Sequence, residues 1–242
     1  MKYYGTTDKG KMRHTNQDAL CIVPFNESTA VLAVVCDGMG GANAGNIAST
    51  MATDEIKEYF CRSFSASMSS LQIENVLKSA FISANNTVYE ASCKDVNLKG
   101  MGTTAVAAFV TQGTAYILHV GDSRAYLYKE GKLIQLTVDH SMVQNMVDSG
   151  QITPDEALHH PNKNIITRAL GVSENVGVDN DVVDLSEGDV LLLCSDGLSN
   201  FVSEESITAQ LENFDSTTTD KLIDLANDGG GGDNITAVVL KV

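Results

Sequence analysis

The stretch Val31-Leu32-Ala33-Val34-Val35-Cys36-Asp37-Gly38 joins an unbroken apolar run to a carboxylate and a glycine. A short apolar run of this kind predicts a strand that is buried on both faces. Two further runs end in a similar pair: Val190-Leu191-Leu192-Leu193-Cys194-Ser195 before Asp196-Gly197, and Ala115-Tyr116-Ile117-Leu118-His119-Val120 before Gly121-Asp122. Three buried strands are therefore expected to deliver one carboxylate each at their ends.

Carboxylates that converge at strand ends form a rigid anionic site. Several such charges in one place are costly unless cations neutralise them. Carboxylate oxygens suit hard divalent cations, which can activate water for hydrolysis. The pattern therefore favours a metal site and metal-assisted chemistry.

The rest of the chain mixes strand-like and helix-like segments. Short apolar runs separated by short turns, with a hairpin signal at Glu130-Gly131, predict antiparallel neighbours rather than crossover units. Apolar residues at helical spacing follow the glycines after Asp37 and recur over 71–91. We therefore predict an α+β fold in which helices cover two antiparallel sheets. Without an evident repeat or linker, residues 1–242 are expected to form one domain.

The net charge of −15 is unevenly distributed. Residues 169–242 hold 15 Asp or Glu against two Lys or Arg, which gives −13 of that total. Proteins that bind nucleic acid or anionic membranes normally carry a basic patch, so neither partner is expected. The acidic part is either a solvated surface that aids solubility or one that attracts divalent cations or basic peptide segments.

Nothing in the sequence indicates secretion or membrane insertion. No apolar stretch reaches the ~18 residues of a membrane span, and the first residues lack the pattern of a signal peptide. The five cysteines are widely spaced and include no Cys-x-x-Cys pair, so neither a disulfide framework nor a zinc cluster is predicted. We expect a cytoplasmic protein.

The glycine-rich segment Asp37-Gly38-Met39-Gly40-Gly41 lies where a dinucleotide-binding loop would lie. It does not match that motif, because Asn43 takes the third glycine position and Asp37 would repel a pyrophosphate. Two interpretations stay open. The glycines form a tight turn, or they let the Gly38 carbonyl join Asp37 as a metal ligand.

Arg13 stands five residues before Asp18, ahead of a strand-like segment. Arginine is suited to bidentate phosphate binding, and a nearby aspartate can reach a metal that shares the phosphate. By itself this pair is a weak signal, and a surface arginine with a turn aspartate is the usual explanation.

Together these segments resemble the metal-dependent serine/threonine protein phosphatases of the 2C type (PPM family), in their compact bacterial form. Each segment is weak alone, but the ordered set spans essentially the whole chain. The segments are Arg13-His14-Thr15-Asn16-Gln17-Asp18, Val35-Cys36-Asp37-Gly38-Met39-Gly40-Gly41, Gly102-Thr103-Thr104, Val120-Gly121-Asp122-Ser123-Arg124-Ala125-Tyr126, Asp139-His140-Ser141, Thr167-Arg168-Ala169-Leu170-Gly171, Ser195-Asp196-Gly197-Leu198 and Gly232-Asp233-Asn234-Ile235-Thr236.

The resemblance implies a four-layer α-β-β-α sandwich with two Mn²⁺ or Mg²⁺ ions in a cleft between the sheets, and a third, weaker metal. Asp37 would bridge the two ions. The Gly38 carbonyl would bind one of them, and Asp196 and Asp233 the other. A flap over residues 141–164 would lie beside the site.

The remaining roles follow from the same resemblance. Asp18 would act mainly through metal-bound water, Asp122 would hold the third metal, and Arg13 would bind the substrate phosphate. Arg13 and Asp37 are thus the expected catalytic residues. Water activated by the metals would attack phosphorus directly, without a phosphoenzyme.

One position departs from the family pattern. Bacterial relatives often carry a histidine after the paired glycines, where this chain has Ala42. A histidine there would protonate the seryl leaving group. In its absence a metal-bound water or His14 could donate the proton, or turnover could be slower.

The implied function is hydrolysis of phosphoserine and phosphothreonine in proteins, which reverses bacterial serine/threonine kinase signalling. The expected partners are phosphorylated proteins and a cognate kinase, and the protein is expected to be a monomer. Two other classes stay open: a catalytically silent phosphoprotein-binding module, supported by Ala42, and a two-metal nuclease or phosphodiesterase, disfavoured by the acidic surface.

Overall fold

The apolar stretch forms strand β3 (Ala30–Met39) in this computed structural model, which describes residues 1–25, 29–40 and 44–242. Leu32 and Val34 face one hydrophobic layer, whereas Val31 and Val35 face another. Because both faces of β3 are buried, the sequence shows a continuous apolar run rather than an alternating pattern.

Two antiparallel sheets pack face to face. The first, in spatial order, contains β1 (Lys2–Asp8), β11 (Ile235–Lys241), β10 (Val190–Cys194), β7 (Arg124–Lys129) and β8 (Lys132–Gln135). The second contains β2 (Asp18–Phe25), β3, β5 (Ala105–Thr111), β6 (Thr114–Val120) and β9 (Asp179–Asp184), with the short β4 (Gly102–Thr103) paired to β3. Their inner faces share one hydrophobic layer.

Helices cover the outer faces of both sheets. The helices are α1 (Ala44–Ser63), α2 (Ser70–Lys94), α3 (Met142–Asp148), α4 (Pro154–Leu158), α5 (Asp196–Ser199), α6 (Glu204–Glu212) and α7 (Thr218–Asp228), with a 3-10 turn at Val96–Leu98. Helices α1 and α2 share a core with the second sheet, and α5 to α7 share another with the first. The predicted α+β, four-layer α-β-β-α arrangement is confirmed.

Local features follow from the sequence as well. The hairpin between β7 and β8 is confirmed, with φ of 51° at Glu130 and 78° at Gly131. The segment 141–164, predicted as a loop-rich flap, contains two short helices. Helix α4 starts at Pro154, and the Thr153 hydroxyl accepts a hydrogen bond from the Glu156 amide at 3.3 Å.

None of the helices in the described ranges is long and apolar enough to cross a membrane.

Candidate active site

Strand ends from both sheets bring carboxylates together in a cleft of about 270 Å³. Asp37 of β3 lines the cleft beside Asp122, which follows β6, Asp196, which follows β10, and Asp233, which precedes β11. Asp18, at the start of β2, is the direct cross-strand partner of Asp37. Carboxylates that are far apart in sequence thus meet because their strands end in the same region.

The glycines that follow Asp37 and Asp196 are required by close backbone packing. A Cβ on Gly38 would overlap the carbonyl oxygen of Gly45 in α1, and a Cβ on Gly197 would overlap that of Asn234. A larger residue would push the aspartate-bearing turn away from its neighbour. This close approach explains why the Asp-Gly pair occurs at both strand ends.

Hydrogen bonds to Thr103 and Thr104 fix the backbone of Asp37. Its amide donates to the Thr104 hydroxyl at 3.0 Å, and its carbonyl accepts from the Thr103 hydroxyl and the Thr104 amide, each at 2.8 Å. The Thr104 hydroxyl in turn bonds the Ser123 hydroxyl at 2.7 Å, next to Asp122. The two aspartates are therefore held on one polar scaffold.

Asp18 is held by hydroxyls from the opposite sheet. Its Oδ2 accepts from the Ser195 hydroxyl at 2.7 Å and from the Thr236 hydroxyl at 2.6 Å. Its Oδ1 is buried and has no hydrogen-bond partner within the described part of the chain, and the same holds for Oδ1 of Asp196. Buried carboxylate oxygens are normally satisfied, so both are free to bind a ligand.

The charges in the cleft repel one another. Burial raises the pKa of Asp18 and of Asp122 to about 7, and Asp196 adds to both shifts. Burial, followed by repulsion from Asp233, raises the pKa of Asp196 to about 6. The pKa of Asp37 lies well above its ordinary value, through burial first and then through repulsion from the other aspartates. The negative charges of these carboxylates are therefore not fully compensated by positively charged groups of the protein.

Arg13 lies at the rim of this cleft. Its Nη2 donates to Oδ2 of Asp233 at 2.8 Å, and this hydrogen bond is the main reason that the pKa of the guanidinium is raised. About half of the Arg13 side chain, 52%, is exposed. A guanidinium in this position can bind an incoming phosphate beside the carboxylates.

These observations fit divalent cations. The donors are carboxylate oxygens, two of them buried without a partner, and no lysine is among the lining residues in the described ranges. Ionised carboxylates in such numbers need cations to offset their repulsion. Asp18, Asp37, Asp122, Asp196 and Asp233 can hold them.

A second group of ionisable residues is packed more tightly. In the part of the chain that the structure describes, only His119, His140 and Asp179 bring three ligand atoms within 4.8 Å of one another. Both ring nitrogens of His140 and both carboxylate oxygens of Asp179 already have partners, and Nε2 of His119 bonds the Val138 carbonyl. The acidic residues of the cleft are spaced more widely.

The structure brings the predicted site residues together around one cleft. Asp37, Gly38, Asp122, Asp196, Asp233 and Arg13 line it. Asp18 does not line it but pairs with Asp37. His14 is exposed and is not among the lining residues, and Ala42, with its neighbours 41 and 43, lies outside the described residues.

Sequence reasoning gave no role to several polar residues that hold the site. Ser195, Thr236, Thr104 and Asn234 each bond a site residue or its loop. For Ser195, Asn234 and Thr236 the available signal was a hydroxyl or amide side chain within three residues of a site aspartate, whereas Thr104 is not close in sequence to any of them. A sequence alone does not show which of these contacts form.

A two-sheet sandwich with carboxylates and an arginine converging between strand ends defines a metal-dependent phosphoryl-transfer protein. The family model described as "Protein phosphatase 2C" matches residues 10–226. The chain therefore belongs to the protein phosphatase 2C family, which confirms the resemblance.

Relatives and solved structures agree with this assignment. The chain is 40% identical over 237 residues to "Serine/threonine phosphatase stp" of Listeria monocytogenes serotype 4b, covering 97% of this chain and 93% of the relative. Stp1 from Staphylococcus aureus is similar in structure, with a TM-score of 0.91 and 37% identity over 100% of this chain and 94% of that one. The catalytic domain of the phosphatase PstP, in complex with two manganese ions, has a TM-score of 0.84 and 33% identity over 98% and 96%.

Proposed function

We propose that this chain is a metal-dependent serine/threonine protein phosphatase that acts on phosphorylated proteins. The observation that carries the proposal is the cluster of carboxylates with partnerless buried oxygens, with a half-exposed arginine at its rim. Membership of the family and the names of its relatives support the same activity.

Each site residue has a proposed role. Asp37, Asp196 and Asp233, with the Gly38 carbonyl, would hold two Mn²⁺ or Mg²⁺ ions, and Asp18 would hold coordinated water. Divalent cations held there supply an activated water and offset charge on the phosphoryl group. Arg13 would bind the phosphate oxygens and thereby give up its ion pair with Asp233.

Direct attack by water agrees with the residues in the cleft. Of the described residues that line it, none is a cysteine, serine or histidine, and its aspartates would be engaged as ligands of the cations rather than free to attack phosphorus. Thr104 is the one lining hydroxyl among them, and it is engaged by the Asp37 amide and by Ser123. A coordinated water is the proposed proton donor to the leaving alkoxide, since His14 does not line the cleft.

The third metal, the domain, the partner kinase, the location and the oligomeric state are also proposals. Asp122 would hold a third, weaker metal with help from Asp196, and the flap over 141–164 would belong to one catalytic domain covering 1–242. A serine/threonine kinase that phosphorylates the same targets is the proposed counterpart. The cysteine pattern supports a cytoplasmic setting, and we propose a monomer.

The test is dephosphorylation of a panel of phosphoserine and phosphothreonine peptides. Turnover is expected with Mn²⁺ and should stop with EDTA. Asp37→Asn should remove most of the activity, whereas Asp224→Asn, at an exposed position on α7, should not. Ala42→His tests whether an added imidazole speeds release of the alkoxide.

Three results would contradict the proposal. They are peptide binding without turnover, full activity of Asp37→Asn, and cleavage of DNA or RNA in place of the peptides.

A further inference from the structure

We infer that Asn234 is a positioning residue, whose side chain fixes the loop that presents Arg13 to the substrate phosphate. This inference deepens the proposed function and rests on it, because it takes Arg13 as the group that binds phosphate. Asn234 follows Asp233, so it joins the phosphate-binding loop to a segment that carries a proposed metal ligand.

The side-chain amide of Asn234 makes three hydrogen bonds, all of them to the loop 9–17 that carries Arg13. Its Oδ1 accepts from the Gln17 amide at 2.8 Å, and its Nδ2 donates to the carbonyls of Lys9 and Thr15, each at 2.9 Å. The residue is only 4% exposed. These three bonds reach the loop on both sides of Arg13.

A second contact holds the middle of the same loop. The amides of Lys11 and Met12 both donate to the carbonyl of Gly231, at 2.8 and 3.1 Å. This contact lies on the N-terminal side of Arg13, whereas Asn234 is the one residue among those described whose side chain bonds the loop on both sides. The segment 230–234 therefore holds the loop 9–17 by hydrogen bonds from a backbone carbonyl, that of Gly231, and from a side chain, that of Asn234.

The Arg13 side chain has less support than its backbone. Among the hydrogen bonds that the structure describes, Nη2 to Asp233 is the one that holds the guanidinium. A long, half-exposed side chain loses much freedom when it grips a ligand, and a fixed backbone lowers that cost. The position of Arg13 thus depends on the amide of Asn234.

The chain contains a matched control for a purely structural asparagine. Asn85, in α2, is 1% exposed. Its Oδ1 accepts from the Gly171 amide at 2.9 Å, and its Nδ2 donates to the carbonyls of Ser173 and Glu174 at 3.0 and 3.1 Å. Asn85 and Asn234 therefore make the same three kinds of bond at the same depth, but Asn85 does not touch the Arg13 loop.

The experiment compares the manganese-loaded wild type with Asn234→Ala, Asn85→Ala, Arg13→Ala and the Arg13→Ala/Asn234→Ala double variant. It measures kcat and KM on a phosphopeptide, the inhibition constant of inorganic phosphate, the affinity for Mn²⁺ by calorimetry, and Tm. Asn234→Asp keeps the acceptor for Gln17 but removes both donors, and it replaces the alanine variant if that variant does not fold.

Asn234→Ala should weaken phosphate binding about 10-fold, as is typical when a residue that orients a binding group is lost, and should change the affinity for Mn²⁺ far less. Asn85→Ala should lower Tm about as much as Asn234→Ala does, but it should leave phosphate binding unchanged. Adding Asn234→Ala to Arg13→Ala should cause little further loss, because both act through one side chain.

Different failures are distinguishable. If Arg13→Ala left phosphate binding unchanged, the proposed role of Arg13 would be wrong, and this inference with it. If Arg13→Ala weakened phosphate binding but Asn234→Ala behaved like Asn85→Ala, only the inference would be wrong. It would equally be overturned if the losses in the double variant multiplied, or if Mn²⁺ affinity fell as much as phosphate affinity.

Discussion

Two groups of ionisable side chains could be mistaken for each other as metal sites. The aspartates at and beside the cleft are spread more widely. The pKa values of Asp18, Asp122 and Asp196 are raised, and the buried Oδ1 atoms of Asp18 and Asp196 have no hydrogen-bond partner among the described residues. The group of His119, His140 and Asp179 is compact and internally bonded.

In the compact group of His119, His140 and Asp179, hydrogen bonds occupy most of the atoms that could bind a cation. His140 accepts from the Gly121 amide at 3.1 Å and bonds Asp179 at 3.2 Å, while His119 bonds the Val138 carbonyl at 2.9 Å. Arg168 donates to Asp179 at 2.7 Å. Burial alone would raise the pKa of Asp179, but the bonds from His140 and Arg168 bring it below its ordinary value.

We therefore expect uncompensated charge to indicate a cation site better than close spacing does. An arginine next to Asp179 already supplies the positive charge that a metal would bring. At the cleft, Arg13 pairs with Asp233, and the buried Oδ1 atoms of Asp18 and Asp196 have no hydrogen-bond partner among the described residues.

The largest expected difference between the two groups is in catalysis. Asp196→Asn should lower kcat/KM on the order of 100- to 1000-fold, because it removes the charge of a proposed ligand to the activating cation. Asp179→Asn should leave kcat/KM nearly unchanged. Steady-state kinetics on one phosphopeptide with saturating Mn²⁺ measures both. Equal losses in the two variants would mean that the groups do not differ as argued.

The sequence predicted Asp37, Asp122 and Asp196 because each comes at the end of a long apolar run, which is visible without a structure, whereas Asp233 was placed in the site only by the family resemblance. It could not predict how Asp18 is held. Ser195 and Thr236, which bond it, are 177 and 218 residues away in the chain. Such contacts depend on how the two sheets pack, and no local pattern encodes that packing.

Helix α5 was missed for a related reason. It has only four residues, Asp196–Ser199, which is too short to produce an apolar periodicity. Close packing of Gly197 against the carbonyl of Asn234 places this turn next to β11, and that tertiary contact has no local signature.

The second prediction concerns the stability of the metal-free protein. Folding raises the pKa of Asp18 and Asp122 to about 7 and that of Asp196 to about 6. For a raised pKa, the stabilising contribution is complete below the unfolded-state value near 4 and is lost as the pH rises through 6 to 7. With EDTA, the free energy of unfolding should therefore fall by on the order of 6 kcal/mol between pH 5 and 7.5.

Urea unfolding at the two pH values, with EDTA or with Mn²⁺, measures this dependence. Mn²⁺ should stabilise the protein more at pH 7.5, because cations bind the ionised carboxylates. Asp196→Asn should reduce the fall seen with EDTA. If the free energy of unfolding with EDTA rose between pH 5 and 7.5, the negative charges of the cluster would already be neutralised by the protein itself.

The third prediction separates the proposed third metal from the first two. Asp122→Asn should reduce the number of Mn²⁺ ions bound at high concentration from three to two and lower kcat about 10-fold, since it removes one carboxylate from the edge of the site. Calorimetric titration with Mn²⁺ counts the ions. A count of three in the variant, or of two in the wild type, would exclude a third site at Asp122.

The smallest expected effect lies in the compact group. Asp179→Asn weakens bonds from His140 and Arg168 at a side chain that is 50% exposed, so it should cost only about 0.5 kcal/mol of stability at neutral pH. Because folding lowers the pKa of Asp179, its contribution is present above the unfolded-state value and is lost as the pH falls through the folded-state one. The gap in Tm between wild type and variant should therefore close in acid, with the Mn²⁺ count unchanged. A variant that lost an ion would show that the compact group binds metal despite its internal bonds.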